Sequence, residues 1–266
     1  MKTIITGKTT LKRRLVFFLL PLAMATVPTI SASAQSLPIT TRVASYNIRH
    51  GEGMDGKLDY KRIADVLQKL NPDVVAVEEV DSMTRRTNNT YSLGEIANQM
   101  HYFESYGPAI NYEGGKYGIG IISRLRPIRT SQYALPGRDE ARTLLVAEFD
   151  NYVFACTHLS LNADERMESL KTIEKVAAKY DKPFIIAGDW NDHPDSPFIK
   201  TLRQNFQICS RLAPSYPADK PNECIDYIAV YNTGKSVATK RSYVVDEPVA
   251  SDHRPIFAEI AISTPQ

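Results

Sequence analysis

The side chains in this sequence that are best suited to catalysis or metal binding stand where apolar segments begin or end. The pair Asp252-His253 lies directly before residues 255–260, whose alternating pattern predicts a half-buried strand. Other polar groups lie at the ends of similar segments: Asn47, Glu78, Glu79, His158, Asp189, Asn191 and Asp226. Charge at a buried strand end is unfavourable unless it is paired or bound to metal. We therefore expect these groups to meet at one edge of the core, where hard oxygen ligands favour Mg²⁺ or Mn²⁺ over zinc.

The pair Asp252-His253 taken alone also fits an ordinary turn. Serine and aspartate side chains bond to nearby backbone, and Pro255 restricts the exit from such a turn. Turns do not explain why so many separate segments end in Asn, Glu, His or Asp, so the whole set favours a shared site.

The elements that must position these residues are strands mixed with amphipathic helices. Apolar runs and alternation predict strands at 42–48, 73–80, 118–123, 142–149, 151–159, 183–190, 225–231, 241–246 and 255–262. Helical spacing predicts helices at 59–70, 92–100, 163–180 and 196–206. Two strand-rich halves linked by helices indicate stacked sheets with helices outside, an α/β fold.

The first 34 residues have the pattern of a secretory signal peptide. A basic stretch precedes the apolar residues 15–27, and Ala32-Ser33-Ala34 forms a cleavage site before Gln35. An uncleaved membrane anchor is the alternative, but the apolar stretch is shorter than the roughly 20 residues that a span requires. We expect a secreted or periplasmic protein, cleaved near Ala34 and Gln35.

Removal of that segment changes the charge balance of the protein. Of 266 residues, 232 remain, which suits one large domain at 35–266. Five of the 32 basic residues and none of the 30 acidic ones are lost, so 27 stand against 30 and the net charge is −3. A mildly acidic protein has no global attraction for nucleic acid or anionic lipid, so any bound anion must be held locally.

The three cysteines suggest no metal site, because they form no CxxC or Cys/His zinc pattern. Cys156 lies in an apolar strand and is expected to be an inert buried thiol. Cys209 and Cys224 flank a proline-rich loop, and either a disulfide or two free thiols fits their spacing.

Six short motifs carry a resemblance to a known family. SYNIRHG (45–51), VEEVD (77–81), THLS (157–160), GDWND (188–192), IDYI (225–228) and SDHRP (251–255) occur in this order. Together they resemble the endonuclease/exonuclease/phosphatase family, which has the deoxyribonuclease I-like fold, over essentially all of residues 42–266. The resemblance implies a four-layer α/β sandwich of two packed, mainly antiparallel or mixed sheets flanked by helices, and metal-dependent hydrolysis of phosphate esters.

The resemblance also implies roles for individual residues at the metal and in catalysis. Glu79 is similar to the main Mg²⁺ ligand, with Asn47 beside it and Asp252 supporting the metal or its water. His253 and Asp226 resemble a dyad, in which Asp226 holds the imidazole tautomer. Whether one ion or two bind is left open by the sequence.

Further roles concern the water and the phosphate. Asp189 and Asn191 resemble the pair that orients the attacking water, and either Asp189 or His253 is the general base. His158 resembles a phosphate ligand and a possible acid for the leaving oxygen. Arg142 is either the phosphate clamp or an ordinary surface arginine, and Tyr117 lies where relatives place a substrate-side aromatic residue.

Some neighbouring residues depart from the family pattern or have simpler explanations. The family often has Gln-Glu where this chain has Glu78-Glu79, and strand alternation predicts that Glu78 faces away from the metal. His50 and His193 are expected to be loop residues, and His101 to be structural. Arg85-Arg86 fits either a substrate contact or a solvated loop.

The sequence thus predicts a secreted, Mg²⁺-dependent phosphodiesterase or phosphatase, a monomer with no obligate protein partner. Its substrate can be a nucleic acid, a phospholipid head group as for sphingomyelinases, or an inositol phosphate. The acidic mature chain does not favour a nuclease, and no strongly apolar docking loop favours a sphingomyelinase. A binding module on a retired catalytic scaffold is the non-enzymatic alternative, although it would be expected to have lost some of the site residues.

Overall fold

The structure, a computed structural model, describes residues 38–232, 234 and 236–263, together with residues 1, 3, 4, 7 and 10. The chain divides into two compact units, residues 1–35 and 36–266. The signal peptide predicted at 1–34 lies outside the described residues except for those five positions, and so it stays a prediction. Within the described residues, no helix has both the length and the apolar character needed to cross a membrane.

Twelve strands and four α-helices are found in the described part of the second unit. The strands are β1 Ile39–Asn47, β2 Val74–Ser82, β3 Phe103–Tyr112, β4 Gly115–Ser123, β5 Arg129–Leu135, β6 Arg142–Glu148, β7 Val153–His158, β8 Phe184–Asp189, β9 Phe206–Ile208, β10 Asp226–Tyr231, β11 Ser236–Val244 and β12 Ile256–Ser263. The helices are α1 Tyr60–Leu70, α2 Ser92–Met100, α3 Ala163–Ala177 and α4 Pro197–Leu202.

The strands form two mixed six-stranded sheets. One has the order β11-β12-β1-β2-β4-β3, and the other has the order β5-β6-β7-β8-β10-β9. Each contains a single parallel pair, β1 with β2 and β7 with β8, joined in both cases through a helix. A parallel pair requires such a crossover, and it leaves the carboxyl ends of both strands at the same edge of the sheet.

The apolar side chains build three layers of core. The layer between the sheets includes Val43, Ile121 and Phe154. A second layer lies under α1 and α2, and a third lies under α3 and α4. The predicted helical face explains this packing, because the side chains of α1 that are buried include Ile63 and Leu67. The four-layer α/β sandwich is therefore confirmed.

The main differences from the predicted elements concern the sheet edges. Strands β3, β5 and β9 were not predicted as such, and β11 begins earlier than the predicted strand at 241–246. All four lie at sheet edges, where a strand buries little apolar surface and shows a weak pattern. The helix predicted to reach residue 206 ends at Leu202, because the chain turns there into the short strand β9.

Candidate active site

The carboxyl ends of the two parallel strand pairs bring the polar residues together. In the first sheet Asn47 at the end of β1 pairs in register with Glu78 of β2. In the second, His158 at the end of β7 pairs with Asp189 at the end of β8. Strand β10 runs antiparallel to β8, so that its first residue, Asp226, lies opposite Asp189. Residues far apart in the chain thus meet at one edge of the sandwich.

His253 and Asp226 form a hydrogen-bonded pair at this edge. His253 Nδ1 lies 3.0 Å from Asp226 Oδ2, and the Ser215 hydroxyl donates to the same oxygen at 2.5 Å. The ring of Tyr216 packs 4.7 Å from the His253 ring. Burial lowers the pKa of His253, but the carboxylates of Asp226, Asp189 and Asp252 outweigh it and raise the pKa to about 10. The imidazole is therefore protonated at neutral pH.

Asp189 lies at the centre of the cluster. Its Oδ2 atom is 3.6 Å from Nε2 of both His253 and His158, and it accepts a hydrogen bond from Asn47 Nδ2 at 3.2 Å. Its Oδ1 atom accepts from the backbone N–H of Asn191 at 2.9 Å. Burial and the neighbouring Asp226 raise the pKa of Asp189 to about 7, although His253 opposes the rise.

The glycine before Asp189 allows β8 to pack closely on β7. Gly188 has φ +152°, and a Cβ at this position would lie 1.8 Å from the carbonyl oxygen of Thr157. Any larger residue would displace the strand that carries Asp189.

A β-bulge aims Glu79 at the site. The pairing of β2 with β4 shifts between Val77 and Val80, so that two residues of β2 oppose one of β4. Glu79 adopts φ +57°, a costly backbone conformation for a non-glycine residue that often accompanies a functional role. Its Oε1 accepts from Asn47 Nδ2 at 3.1 Å. Burial raises its pKa, while the hydrogen bond from Asn47 opposes that rise.

Glu78 follows the regular alternation of β2. It is fully buried in the layer between the sheets, where its Oε1 accepts from Ser45 Oγ at 3.1 Å. Its Oε2 has no hydrogen-bond partner among the described residues. Burial, followed by Asp226 and Asp189, raises the pKa of Glu78 well above its usual value. Glu78 continues the alternation of Val74 and Ala76, which face the same layer, so the expectation that it faces away from the metal stays a prediction.

The cluster has the charge and the donors that suit a hard divalent cation. Among the described residues neither Glu78 nor Glu79 makes an ion pair, whereas His253 is close to both Asp226 and Asp189. Three buried carboxylates and the half-buried Glu79 thus face one imidazolium, and carboxylate oxygens are preferred ligands of Mg²⁺ and Mn²⁺. Asp189, Asp226 and His253 also have polar atoms within 4.8 Å of one another. The imidazolium of His253 has no free lone pair for a metal, so the carboxylates are the groups that fit a cation.

The side chains of the other two residues expected at the metal, Asn47 and Asp252, are engaged in contacts with neighbouring residues. Asn47 now directs its amide nitrogen at Glu79 and Asp189, while its Oδ1 accepts from Arg49 N–H at 3.1 Å. Asp252 is partly exposed, and its Oδ2 lies 3.9 Å from Arg49 Nε. Asn47 would have to turn its oxygen toward an ion to bind it.

Arg142 and His158 lie beside the acidic cluster. Arg142 is largely buried, with Nη1 2.8 Å from Glu140 Oε1, and its Nε has no hydrogen-bond partner among the described residues. This burial excludes the alternative of an ordinary surface arginine. Burial, then Arg142, then His253 lower the pKa of His158 well below its usual value. His158 is therefore neutral at pH 7, able to donate one ring N–H.

The remaining predicted residues lie at the rim. Asn191 has φ +51° and donates from Nδ2 to the carbonyl oxygen of Leu159 at 2.9 Å. Tyr117 on β4 lines a small cavity together with Glu79. His193 is exposed in a loop as expected, and His101 ends α2 in a left-handed conformation.

Sequence reasoning missed several residues that support the site. Ser215 holds Asp226, and Ser251 donates from Oγ to the carbonyl oxygen of Asn47 at 2.8 Å. Asp81 forms a close ion pair with Arg86. The side chain of Arg86 is therefore not freely solvated, as the loop alternative would require. A buried Asp81 inside the VEEVD motif was the available signal, since such a carboxylate needs a partner. Nothing in the sequence marked Ser215 as a site residue, because serines are common in loops.

The cysteines carry no cross-link in the described residues. Cys156, Cys209 and Cys224 are all buried free thiols, so of the two alternatives for Cys209 and Cys224 the structure has the reduced one. Cys156 is buried in strand β7 as expected, and its Sγ lies 3.6 Å from Glu78 Oε1.

Two six-stranded sheets packed between helices, with an acidic cluster at one edge, define the class of α/β-sandwich proteins that the motifs resemble. A model described as the Endonuclease/Exonuclease/phosphatase family matches residues 44–253, so the chain belongs to this family. The resemblance recognised in the motifs is thereby confirmed. Members of this family are in general hydrolytic phosphoesterases. Among curated proteins, none is similar enough in sequence to count as a relative.

Solved structures share the fold at low sequence identity. An endonuclease/exonuclease/phosphatase family protein from Bacteroides thetaiotaomicron is 17% identical, with a TM-score of 0.69 over 86% of this chain and 100% of its own. A counterpart from Beutenbergia cavernae is 20% identical, with a TM-score of 0.67 over 84% and 72%. A mannosyl-6-phosphatase from Bacteroides thetaiotaomicron is 17% identical, with a TM-score of 0.66 over 83% and 99%. At such identities the likeness establishes the fold alone.

Proposed function

We propose that this protein is a divalent-metal-dependent phosphoesterase that hydrolyses a phosphomonoester or phosphodiester by attack of water on phosphorus. The observation that carries the proposal is the convergence of Glu79, Asp189, Asp226 and His253 from both sheets into one buried cluster. Family membership supports the same reaction class. We also propose that the mature protein acts as a secreted or periplasmic monomer.

The divalent cation would be held by Glu79 and Asp252, with Asn47 joining them once its amide oxygen is turned inward. When bound, Mg²⁺ or Mn²⁺ supplies positive charge that offsets the charge of the phosphate and of the transition state. Arg142 binds phosphoryl oxygens from the other side, because its planar guanidinium suits two oxygens at once. Neutral His158 donates a hydrogen bond to the same group.

Asp189 is assigned as the general base. Its pKa of about 7 places it near the pH at which a base is most effective, whereas His253, with a pKa of about 10, already carries its proton. Asp189 removes a proton from water, whose oxygen forms the new bond to phosphorus while the bond to the leaving alcohol breaks. Asn191 orients that water through its side-chain oxygen.

His253 is assigned to charge stabilisation and proton donation. Asp226 holds Nδ1, so that the Nε2–H of the imidazolium points toward the space beside Asp189 where a phosphoryl oxygen would lie. The hydrogen bond from Nε2 strengthens as negative charge develops on the phosphoryl group. The leaving alkoxide takes its proton from this imidazolium, and the proton that Asp189 removed from water then passes to His253 Nε2, 3.6 Å away, so that one water is consumed per ester cleaved and both groups are restored.

A direct test is hydrolysis of bis-p-nitrophenyl phosphate and p-nitrophenyl phosphate with Mg²⁺, Mn²⁺ or EDTA. We expect EDTA-sensitive release of p-nitrophenol, restored by either ion. His253→Ala and Asp189→Ala should each abolish turnover while the circular dichroism spectrum stays native. Absence of turnover with both ions would favour the binding module instead, and wild-type rates in a folded variant would remove the assigned roles.

A further inference from the structure

A small cavity lies directly beside Glu79, outside the acidic cluster. It has a volume of about 140 Å³ and is lined by Glu79, Arg86, Ile110, Tyr112, Tyr117 and Glu140. We call it the aromatic pocket. It is continuous with the proposed phosphate site, because Glu79 borders both and Glu140 contacts the phosphate clamp Arg142 at 2.8 Å. A substituent on a phosphate bound between Arg142 and a cation at Glu79 would therefore lie at this pocket.

We infer that the aromatic pocket is the subsite for the alcohol part of the substrate, and that it binds one uncharged polyhydroxylated ring, a pyranose or a cyclitol. This inference rests on the proposed function, because it takes the phosphate site next to the pocket as the place of reaction.

Two mutually tilted tyrosine rings and an arginine form one wall of the pocket. The rings of Tyr112 and Tyr117 have centroids 6.3 Å apart at an angle of 55°. The Arg86 guanidinium lies 4.6 Å from the Tyr112 centroid and 5.6 Å from that of Tyr117. Aromatic faces pack against the C–H groups of a ring while their hydroxyls stay available for hydrogen bonds. Such a wall suits a ring that is apolar on its faces and polar at its edge.

The wall is held rigidly from behind. Arg86 donates from Nε and Nη2 to the two oxygens of Asp81, at 2.6 and 2.7 Å, and Asp81 is fully buried. Thr84 donates to Asp81 as well, at 2.5 Å. The backbone N–H of Arg86 donates to Glu113 Oε2 at 3.0 Å, which ties this loop to the tip of the β3–β4 hairpin. A subsite fixed in this way loses little conformational entropy when a ligand binds.

The charges of the pocket argue for an uncharged ring. Arg86 is neutralised by Asp81, and Arg142 is paired with Glu140. Glu79 adds a further carboxylate. The pocket therefore has no unpaired positive side chain that could bind a second phosphate or a carboxylate. Arg86 Nη1 and the hydroxyls of Tyr112 and Tyr117 make no hydrogen bond within the described residues, and these donors together with the Glu140 carboxylate match a set of ring hydroxyls.

The size of the pocket limits the ligand to a single ring. Pockets for drug-sized ligands occupy roughly 300–1,000 Å³, and 140 Å³ is well below that range. One pyranose or cyclitol ring suits such a volume, whereas a nucleoside, with a base beyond its ribose, extends past it. Nucleic acid is therefore disfavoured relative to a phosphorylated monocyclic polyol.

Four phosphomonoesters test this inference with the full mature protein and Mg²⁺. Glucose 6-phosphate and myo-inositol 1-phosphate carry a polyol ring, glycerol 3-phosphate is an acyclic polyol, and adenosine 5′-monophosphate carries a nucleoside. We expect kcat/KM to be highest for one or both ring polyols, and the comparison between them separates a pyranose from a cyclitol. A preference for glycerol 3-phosphate or the nucleotide would overturn the inference.

Tyr112→Ala and Phe103→Ala form a matched pair of variants. Both residues lie on β3, both are 37% exposed, and each has an arginine over its ring, at 4.6 and 4.7 Å. Only Tyr112 borders the pocket. We expect Tyr112→Ala to reduce the preference for the ring polyol over glycerol 3-phosphate by roughly tenfold, the factor that about 1.4 kcal/mol represents. Phe103→Ala should leave that preference as it is, and an equal effect of both variants, or no effect of either, would contradict the inference.

A binding measurement separates the pocket from the reaction. Saturation-transfer NMR with methyl α-glucopyranoside and myo-inositol needs no turnover. If no phosphate ester is hydrolysed, the proposed function fails, but transfer to ring protons that is lost in Tyr112→Ala and kept in Phe103→Ala would still support the subsite. If esters are hydrolysed and neither polyol shows transfer, the subsite fails while the proposed function stands.

Discussion

The hydrogen bond from His253 Nδ1 to Asp226 Oδ2, 3.0 Å long, joins the two sheets of the molecule. Asp226 opens β10 of one sheet, and His253 lies just before β12 of the other. Because the partners belong to different sheets, the orientation of the imidazole depends on how the sheets pack. The Ser215 hydroxyl on the same oxygen limits the freedom of the Asp226 carboxylate.

Loss of the Asp226 carboxylate should therefore abolish most of the activity. In Asp226→Asn the neutral carboxamide can still accept from Nδ1–H but no longer offsets the charge of the imidazolium, and we expect kcat/KM to fall by about a hundredfold or more, the usual contribution of a positioned acid or base. Asp73→Asn is a suitable control, because Asp73 pairs with Arg42 outside the site. Comparable activity of Asp226→Asn and the control, with both folded, would refute the dyad.

The dependence of kcat/KM on pH should have two limbs. Asp189 must lose its proton to act as base, so activity rises as pH increases through about 7. His253 must keep its proton to bind the phosphoryl group, so activity declines as pH approaches about 10. Initial rates between pH 5 and 11 at saturating Mg²⁺ measure both limbs. A maximum below pH 6 would be inconsistent with Asp189 as the base.

The stabilisation by Mg²⁺ should increase with pH. Burial raises the pKa values of Glu79 and Asp189 above their unfolded values, so the folded state binds these protons more tightly. The contribution of Asp189 to stability is complete below about pH 4 and is lost as pH rises through about 7, and that of Glu79 is lost as pH rises through its own raised pKa. A cation replaces the lost protons, and the Tm increase on adding Mg²⁺ should be larger at pH 8 than at pH 5.

Glu79→Gln provides the control for that measurement. The variant lacks one carboxylate, and we expect a smaller Tm increase with Mg²⁺ at pH 8 than in the wild-type protein. If the increase is the same at both pH values and in both proteins, the cation is held elsewhere.

Arg142→Ala should slow catalysis, because the phosphate loses its contact with the guanidinium. Hydrogen bonds to charged groups contribute about 1.5–3 kcal/mol each, so a loss of roughly tenfold to a hundredfold in kcat/KM is expected. Arg142→Lys should recover only part of it, because an ammonium cannot contact two oxygens in a plane. Arg138→Ala removes an arginine that is 76% exposed and pairs with Glu165, and its rate should match the wild type. Full activity of Arg142→Ala would exclude the clamp.

All three thiols should be free in the folded protein. Cys156, Cys209 and Cys224 are buried, so they should react with Ellman's reagent only after unfolding, when three equivalents are expected. Addition of dithiothreitol should leave Tm unchanged, whereas reduction of a disulfide typically costs about 2–4 kcal/mol. A single reactive thiol after unfolding would show that Cys209 and Cys224 are paired.

The central strands and the candidate site residues were readable from the sequence, because both leave local signals. Strands β2 and β8 each begin with an apolar run, and each then carries a carboxylate that a buried position would not otherwise tolerate. The edge strands β3, β5, β9 and β11 left weaker signals, since most of their residues are exposed or only partly buried.

The sequence by itself determined which residues have the chemistry for the site, and in what order they follow along the chain. The tertiary structure decided their directions. The bulge in β2 aims Glu79 at Asn47, while Glu78 continues the alternation of Val74 and Ala76 and stays between the sheets. Pairing of β4 with both β2 and β3 produces the bulge and the aromatic pocket beside it. Such directions arise from contacts between distant segments, and no local pattern encodes them.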